Sequence, residues 1–330
     1  MNKIVSFDYI RVISVIGIIL CHCCFGIDGL DFLGRFLGNT FNVIFLSLSA
    51  FLLGIQWKKR SYKAYNKDFL HKRIGKLTHT YYPFILIMFL FLAYTGYNVS
   101  VKNVILHFSF LPWLNKLTGF GHLWFITMIV ICYIGIYTIS KLPLAFVKKC
   151  KQGGVAILLL TIIPQLVMGK LGLPVSLFTY LFFYLYIFLN AENFLKFLTE
   201  KPLKPMFALG GLCIMSIIIA LYLLGYTNEY ARTWLGIISA CITFTFLFKL
   251  FLNAKSNKFI DFIAAISFEI YLVHHVFCFG KYSLFRVVEN PVLGTLSIFA
   301  LSLILAIILN KIGKITELLF CSQKHIKRLK

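Results

Sequence analysis

An arginine and a histidine lie on the first apolar segment of this chain, where charged groups are costly. Arg11 and His22 are 11 residues apart. At about 100° per residue, this spacing brings them to within about 20° of one helix face and about 16 Å apart along the axis. The face between them holds Ser14, Val15 and Ile18. Because a polar stripe on a spanning helix is unfavourable in lipid, we expect this face to point at protein or a cavity.

The two side chains suit complementary tasks. A histidine with a near-neutral pKa can act as a general base toward a hydroxyl group, and a buried arginine can hold an anion. Asp8 precedes Arg11 by three residues and can pair with it. The alternatives are structural: Arg11 can reach the lipid headgroups with its long side chain, and His22 can cap a helix end near water.

A carboxylate lies deep in the ninth apolar segment. Glu269 is about 11 residues into that segment, before Tyr271, His274 and His275. An intramembrane carboxylate is a candidate for catalysis, and a structural ion pair between helices is the alternative. Either histidine can also be an ordinary interfacial residue.

The cluster from Cys21 to Cys24, which includes His22, does not predict a metal site. Consecutive residues on a helix point about 100° apart and cannot converge on one ion. The nine cysteines are odd in number and lie mostly in apolar runs, so we interpret them as small buried hydrophobic residues rather than as a disulfide framework. We expect no metal and no bound cofactor.

The composition identifies the setting of these residues. Of 330 residues, 60% are hydrophobic and 13% charged, about half the charged share of soluble proteins. This excludes a cytosolic enzyme, a disordered tail and a secreted disulfide scaffold, and it predicts an integral membrane protein. The net charge of +22 then indicates basic cytoplasmic loops rather than nucleic-acid binding.

Ten apolar runs are candidates to span a bilayer, which needs about 20 residues. They are Phe7–Phe25, Leu37–Trp57, Tyr81–Gly96, Gly121–Ser140, Val155–Met168, Ser176–Phe194, Met206–Gly225, Tyr230–Phe251, Phe259–Phe279 and Val292–Asn310. The predicted fold is therefore an all-α polytopic membrane protein with about ten transmembrane helices. Residues 101–111 are too short to span and are expected at the interface.

The basic residues predict the orientation. With the N-terminus in the cytoplasm, 25 of the 33 Lys and Arg residues fall in inner segments and 7 in outer ones, while Arg11 lies within a helix. This asymmetry follows the positive-inside rule and places both termini in the cytoplasm. The richest inner segment is a predicted loop of 23 residues, Lys58–Thr80. Residues 1–330 are predicted to form one transmembrane domain with a basic tail from about residue 311.

Three segments in this order resemble the integral membrane acyltransferase family 3. The stretch from Asp8 to His22 resembles the Arg-x10-His signature that opens the family. The run Gly121-His122-Leu123-Trp124-Phe125 is similar to its His-Leu-Trp-Phe segment, and the run from Ser267 to His274 to its late segment ending in Tyr-Leu-x-His. The basic segment matches less well, since Lys76 stands where the family often has a second arginine after Arg73.

The resemblance implies transfer of an acyl group, usually acetyl from cytoplasmic acetyl-CoA, to a carbohydrate hydroxyl at the outer side of the membrane. Together with the residue arguments above, it predicts the following roles: His22 and Glu269 catalytic, with Glu269 orienting His22 or balancing its charge; Arg11, Arg73 and Lys76 binding the donor; and His122, Trp124, Tyr271 and His274 on the acceptor side. Trp124 can equally be an aromatic-belt residue. There is no Gly-x-Ser-x-Gly elbow, which favours direct attack by the acceptor over an acyl-enzyme.

Two other classes stay open from the sequence. A secondary transporter or glycan flippase also needs buried charges, and it would show broken helices in paired halves. A glycan polymerase or ligase would show a large outer loop. The acceptor can be a surface polysaccharide, its lipid-linked precursor or an exported glycoside, and the acyl group acetyl or succinyl. We expect a multi-pass protein of a bacterial plasma membrane, with an acyl-CoA donor, a carbohydrate acceptor and the lipid bilayer as its partners.

Overall fold

A computed structural model describes residues 4–65, 67–115, 117, 119–154, 161, 163, 167, 176–202, 205–225 and 228–326. Within these ranges the chain forms helices and contains no strand, which confirms the all-α prediction.

Thirteen α-helices are described in these ranges. Their bounds are α1 Ser6–Cys24, α2 Asp31–Lys59, α3 Lys67–Tyr94, α4 Val101–Phe108, α5 Trp124–Ile139, α6 Leu144–Gln152, α7 Leu177–Glu200, α8 Pro205–Leu223, α9 Glu229–Leu250, α10 Lys258–Ala265, α11 Ser267–Val273, α12 His275–Cys278 and α13 Pro291–Ile326. Short 3₁₀ turns lie at Pro112–Leu114, Gly121–Leu123, Gly280–Tyr282 and Leu284–Arg286.

Eight helices in the described ranges are long and apolar enough to cross a membrane, or nine if the bent pair from Lys258 to Cys278 counts as one span. These nine coincide with nine of the predicted runs. The remaining run, residues 155–168, lies outside the described residues. The count of about ten and the cytoplasmic termini stay predictions.

Two sequence-based expectations about individual elements are wrong. The predicted loop Lys58–Thr80 is mostly helical, because α2 continues to Lys59 and α3 begins at Lys67. Phe69 and Leu77 are buried on this extension of α3, so its apolar face is packed although its other face is basic. The predicted ninth span is not one continuous helix: the chain leaves helical geometry at Ile266, with φ −105° and ψ 13°, so Glu269 lies in the first turn of the short helix α11.

The helices group into two compact units. The first comprises residues 1–65 and 134–264, and the second comprises residues 66–133 and 265–330. In the first unit, α2 packs against α1, α7, α8 and α9. A Cβ atom on Gly54 would lie 2.2 Å from the Phe188 carbonyl oxygen of α7, so only glycine permits this approach of the two helices. A buried hydrogen bond of 2.8 Å between the Thr40 and Ser239 hydroxyls joins α2 to α9.

The second unit is organised around α3, which packs against α11 and α13. Pro83 lies inside α3 and has no N–H to bond the carbonyl of His79 four residues earlier. That carbonyl instead accepts a hydrogen bond of 2.7 Å from the Thr316 hydroxyl of α13. Gly313 of α13 lies against the same turn, where an added Cβ would be 2.9 Å from Thr80 Oγ1. The proline thus creates the acceptor that fastens the last helix to the third.

Candidate functional site

Helix α1, which carries Arg11 and His22, is held by contacts at its start and at Gly17 within the first unit. Near its start, the Ser6 hydroxyl donates to the Phe251 carbonyl at 2.9 Å. The centroid of the Phe7 ring lies 5.3 Å from that of Phe51 in α2 and 5.5 Å from that of Phe248 in α9. Further along, Gly17 lies directly against the Phe41 ring, where a Cβ would be 2.2 Å away. The rotation of α1 about its axis is therefore set by close packing.

The stripe predicted from the 11-residue spacing faces protein. Ser14, Val15 and Ile18 are all buried, whereas Ile16 on another side of α1 is exposed. The Ser14 hydroxyl bonds the Ile10 carbonyl of its own helix at 2.7 Å. The expectation that this face is turned away from lipid is confirmed for the residues between Arg11 and His22.

Arg11 forms the predicted pair with Asp8. Its Nη1 lies 3.5 Å from Asp8 Oδ1, and the Arg11 side chain keeps 28% of its surface exposed. A guanidinium has five N–H donors in a planar fork, so one ion pair leaves donors for a second anion. The geometry is compatible with anion binding, and Asp8 holds the guanidinium in place.

His22 is oriented by its own helix. Its ring Nδ1 donates to the Ile18 carbonyl at 2.8 Å. The ring nitrogen that carries the lone pair is therefore Nε2, the nitrogen farther from the backbone. A fixed neutral tautomer with Nε2 as the acceptor is what a general base toward a hydroxyl requires.

The remaining predicted site residues belong to the second unit, where Glu269 has a polar partner that the sequence reading missed. Its Oε1 accepts a hydrogen bond of 2.9 Å from Asn310 Nδ2 of α13, and 6% of its surface is exposed. The charges of Lys76 and Lys314 both act on this carboxylate. Helices α3, α11 and α13 thus bring one acid, one amide and two cations together.

Arg73 and Lys76, the predicted donor-binding pair, lie one turn apart on α3 rather than in a loop. The Arg73 guanidinium is 6.0 Å from the centre of the Phe69 ring, and Lys76 is exposed. Arg73 therefore lies over an aromatic face, while the ammonium of Lys76 reaches water.

His122 lies at the centre of a cluster of aromatic rings. Its ring stacks on His275 with centroids 4.4 Å apart and approaches Tyr271 and His274 at 5.2 and 5.3 Å. His122 Nε2 donates to the Leu272 carbonyl at 3.1 Å, and the Tyr271 hydroxyl donates back to the His122 carbonyl. This reciprocal bonding joins the turn Gly121–Leu123 to α11.

The other two histidines of the cluster are bonded to the backbone. His274 Nδ1 donates to the Tyr271 carbonyl at 2.8 Å, and His275 Nδ1 donates to the Gly119 carbonyl at 2.8 Å. Gly119 has φ +82°, a conformation that favours glycine. The sequence did not show whether His275 has a specific role. In the structure its bond to Gly119 fixes the segment before His122.

Trp124 follows the cluster directly but is outside it. Its indole packs on Trp113 with ring centroids 5.6 Å apart, and the residue is partly exposed. It is accessible where His122, Tyr271 and His274 are buried. Among the described residues, no group of three His, Cys, Asp or Glu side chains has metal-binding geometry.

The division into two units does not follow the predicted roles, since the catalytic and the donor-binding residues are each divided between the units. Arg11 and His22 belong to the first unit, and Arg73, Lys76, His122, Trp124, Glu269, Tyr271 and His274 to the second. The residues that sequence reasoning missed are Asn310 and Lys314. Asn310 is a polar residue at the end of an apolar run, and that position was the only signal for it.

Two apolar cavities lie in the first unit beside α7 and α9. Their volumes are about 840 Å³ and 540 Å³, and Phe197, Cys241 and Thr245 line both. Neither is lined by Arg11 or His22. Their walls suit hydrocarbon chains rather than a charged nucleotide, so we do not assign the donor to them.

The comparisons with known proteins address the whole chain. A family model described as an acyltransferase domain, that of acyltransferase family 3, matches residues 4–311. No curated protein and no solved structure gave a match. The match takes in residues of both units and every predicted site residue. The chain is therefore a multi-pass membrane protein that belongs to acyltransferase family 3.

Proposed function

We propose that this protein transfers an acetyl group from cytoplasmic acetyl-CoA to a hydroxyl of an extracytoplasmic carbohydrate, a surface polysaccharide or its lipid-linked precursor. The observation that carries the proposal is the geometry of α1. One face of this helix, buried at Ser14, Val15 and Ile18, carries an arginine held by Asp8 and, 11 residues later, a histidine whose Nδ1 is bonded to Ile18. Membership of an acyltransferase family supports the reaction class.

In the proposed reaction, His22 Nε2 accepts the proton of the acceptor hydroxyl as its oxygen attacks the thioester carbonyl carbon. The new C–O bond forms, the C–S bond breaks, and the proton passes from His22 to the departing CoA thiolate. The products are the O-acetyl ester and CoA, and no oxidant or metal is needed. The hydrogen bond to the Ile18 carbonyl favours this role because it keeps the lone pair on Nε2 and stabilises the ring when it becomes charged.

Donor binding is assigned to Arg11, Arg73 and Lys76. CoA carries phosphate groups that guanidinium and ammonium ions recognise, and Arg11 offers a planar fork that can bond two oxygens at once. Glu269 is assigned as the carboxylate that offsets positive charge during transfer. The partly exposed Trp124 is assigned to the acceptor side with His122, Tyr271 and His274.

The test is transfer of radiolabel from acetyl-CoA to carbohydrate in membranes that contain equal amounts of each variant. His22→Ala is expected to lower turnover by about 10²–10⁴-fold while leaving acetyl-CoA binding nearly unchanged. His71→Ala is the matched control, since His71 is an exposed histidine of α3. Wild-type turnover in His22→Ala would refute the general-base assignment.

Arg11→Ala is expected to weaken acetyl-CoA binding, and Arg11→Lys to restore it only in part, because an ammonium cannot bond two oxygens as a planar fork does. Arg35→Lys, at an exposed position of α2, is the control. Full binding in Arg11→Ala would show that Arg11 serves the packing of α1 instead.

The proposed orientation needs its own test. In a background without the native cysteines, single cysteines near Asp28 or Glu289 are expected to react with an impermeant thiol reagent from outside. Cysteines near Tyr62 or Lys327 are expected to react only after the membrane is opened. The opposite pattern would place the donor-binding residues on the wrong side and would refute cytoplasmic acetyl-CoA as the donor.

A transporter or flippase is the second candidate, favoured by the interruption of the ninth span at Ile266. Broken spans line transport pathways, but such proteins carry a corresponding break in each half. In the part of the chain that the structure describes, one bent pair is found. Accumulation of an unmodified glycan across the membrane, without label transfer from acetyl-CoA, would support this candidate.

A further inference from the structure

The larger apolar cavity of the first unit, of about 840 Å³, is lined by α7, α8 and α9 and opens at the surface of the protein. Phe207 and Leu212 of α8 and Phe246 of α9 line it, and each is more than half exposed. The Thr245 hydroxyl on its wall bonds the Cys241 carbonyl of its own helix at 2.8 Å, so the wall is effectively apolar. In a protein that crosses a bilayer, an open cavity with such walls admits a hydrocarbon chain.

The cavity exists because α8 is attached to the rest of the first unit mainly near its end. The buried residues of α8 are Ile218 and Tyr222, which pack with Phe36 of α2. The Tyr222 hydroxyl also accepts a hydrogen bond of 3.0 Å from Asn39 of α2. Within residues 205–214, all of which the structure describes, no side chain is buried. The first half of α8 is therefore loosely attached, and the cavity is the space beside it.

Two lysines lie at one end of this cavity and are the charged residues among the described residues that line it. Lys249 lies in the last turn of α9, and Lys201 directly follows α7. The Lys249 ammonium donates to the Phe197 carbonyl at 3.4 Å and to the Lys201 carbonyl, so the ends of the two helices lie side by side. Because two apolar spans end together here, both lysines lie at the level of the lipid headgroups.

The charge at this end of the cavity is positive. An ammonium has three donors, and Lys249 uses two of them, while the Lys201 side chain is exposed. Glu200 is paired with Lys196 at 3.9 Å, and residues 249–258 contain three lysines and no acidic residue. The smaller cavity has no charged residue among the described residues that line it. Only the larger of the two thus combines an apolar wall with a basic end.

We propose that the larger cavity binds an anionic phospholipid of the surrounding bilayer, with an acyl chain along the apolar wall and the phosphate group at Lys201 and Lys249. The wall selects a molecule with a hydrocarbon chain, and the lysines select a headgroup with a net negative charge. The bound lipid fills the space beside the first half of α8 and holds it against α7 and α9. Arg11 and His22 do not line this cavity, so the site does not depend on the proposed reaction.

The test uses the purified full chain in a neutral detergent and measures bound lipid by native mass spectrometry. Phosphatidylglycerol is the probe, phosphatidylcholine with the same acyl chains is the zwitterionic comparator, and glycerol phosphate supplies the charge without a chain. The wild type is expected to bind phosphatidylglycerol more tightly than phosphatidylcholine, and not to bind glycerol phosphate. Equal binding of the two lipids, or binding of glycerol phosphate as tightly as phosphatidylglycerol, would overturn the proposal.

The headgroup contacts are tested by removing each charge. Lys201→Gln and Lys249→Gln are each expected to raise the Kd for phosphatidylglycerol about fivefold and to leave phosphatidylcholine binding unchanged. Lys201→Gln keeps the bonds of Lys249, because these go to backbone carbonyls. Lys255→Gln makes the same change in charge at an exposed residue that does not line the cavity, and it is expected to keep the wild-type Kd. A wild-type Kd in both cavity variants would overturn the proposal.

The place of the chain is tested with two adjacent glycines of α8. Gly211 lines the cavity, and its added Cβ would lie 3.4 Å from Ile242, whereas a Cβ on Gly210 would meet open space. Gly211→Leu is expected to occupy the cavity and abolish the preference for phosphatidylglycerol, and Gly210→Leu to keep it. Phosphatidylglycerol is also expected to raise the Tm of the wild type and of Gly210→Leu, but not of Gly211→Leu. The same binding in both glycine variants would show that the lipid lies elsewhere, and the proposal would be wrong.

Discussion

The contact between Glu269 and Asn310 allows the two roles of the buried carboxylate to be separated. In Glu269→Gln, the amide oxygen can still accept the 2.9 Å hydrogen bond from Asn310 Nδ2, so the junction of α11 and α13 is preserved and only the charge is lost. A hydrogen bond to a charged group contributes about 1.5–3 kcal/mol and a neutral one about 0.5–1.5 kcal/mol. The expected loss in the free energy of unfolding is therefore about 1 kcal/mol.

A catalytic role predicts a much larger effect on rate. If the charge of Glu269 serves the reaction, Glu269→Gln is expected to lower kcat by about 10²–10⁴-fold. Asn310→Ala is expected to do the opposite: it removes the hydrogen bond, costs about 1.5–3 kcal/mol of stability, and leaves the carboxylate and most of kcat in place.

Both variants are to be measured in nanodiscs, by label transfer from acetyl-CoA for kcat and by SDS titration for unfolding. Asn290→Ala is a control for the loss of a loop amide, since Asn290 Oδ1 caps the start of α13 outside this contact. A Glu269→Gln protein with wild-type kcat would refute the catalytic role and would leave the carboxylate as a packing element.

Three further predictions concern other parts of the protein. Burial lowers the pKa of His107 below 6.5. Because the unfolded chain binds a proton below that pH and the folded chain does not, the free energy of unfolding should fall as pH drops below about 6.5. His107→Gln should reduce this pH dependence in SDS titrations at pH 5.5 and 7.5. Gly54→Ala should lower stability by about 1–3 kcal/mol, because its Cβ would meet a carbonyl of α7 at 2.2 Å. Gly210→Ala, the control with open space around it, should be neutral or stabilising. Equal stability of the two variants would contradict the packing argument. His122→Ala should raise the acceptor KM more than the donor KM in label-transfer kinetics, and unchanged kinetics at wild-type expression would assign His122 to folding alone.

The geometry of α1 could be predicted from the sequence because it depends on one helix. The rotation per residue is the same in every α-helix, so a spacing of 11 residues placed Arg11 and His22 on one face before any packing was known. The pair between Asp8 and Arg11 follows from a spacing of three in the same way. Both predictions concern neighbours along one helix, where no tertiary information is needed.

The contacts of the second unit were harder to predict from the sequence because they join residues that are far apart along the chain. The break at Ile266 occurs without glycine or proline, in a run whose composition is that of a continuous span. The partner of Glu269 is 41 residues away, and nothing local distinguishes Asn310 from any polar residue at a helix end.

The bond between Thr316 and the His79 carbonyl has a consequence for how the protein is made. Its two partners are 237 residues apart, and at about 5–20 residues per second the ribosome needs roughly 12–47 s to add the second after the first. During this interval the hydrogen bond that attaches α13 to α3 cannot form. Completion of the second unit therefore waits until α13 has been synthesised, although α3 is made early.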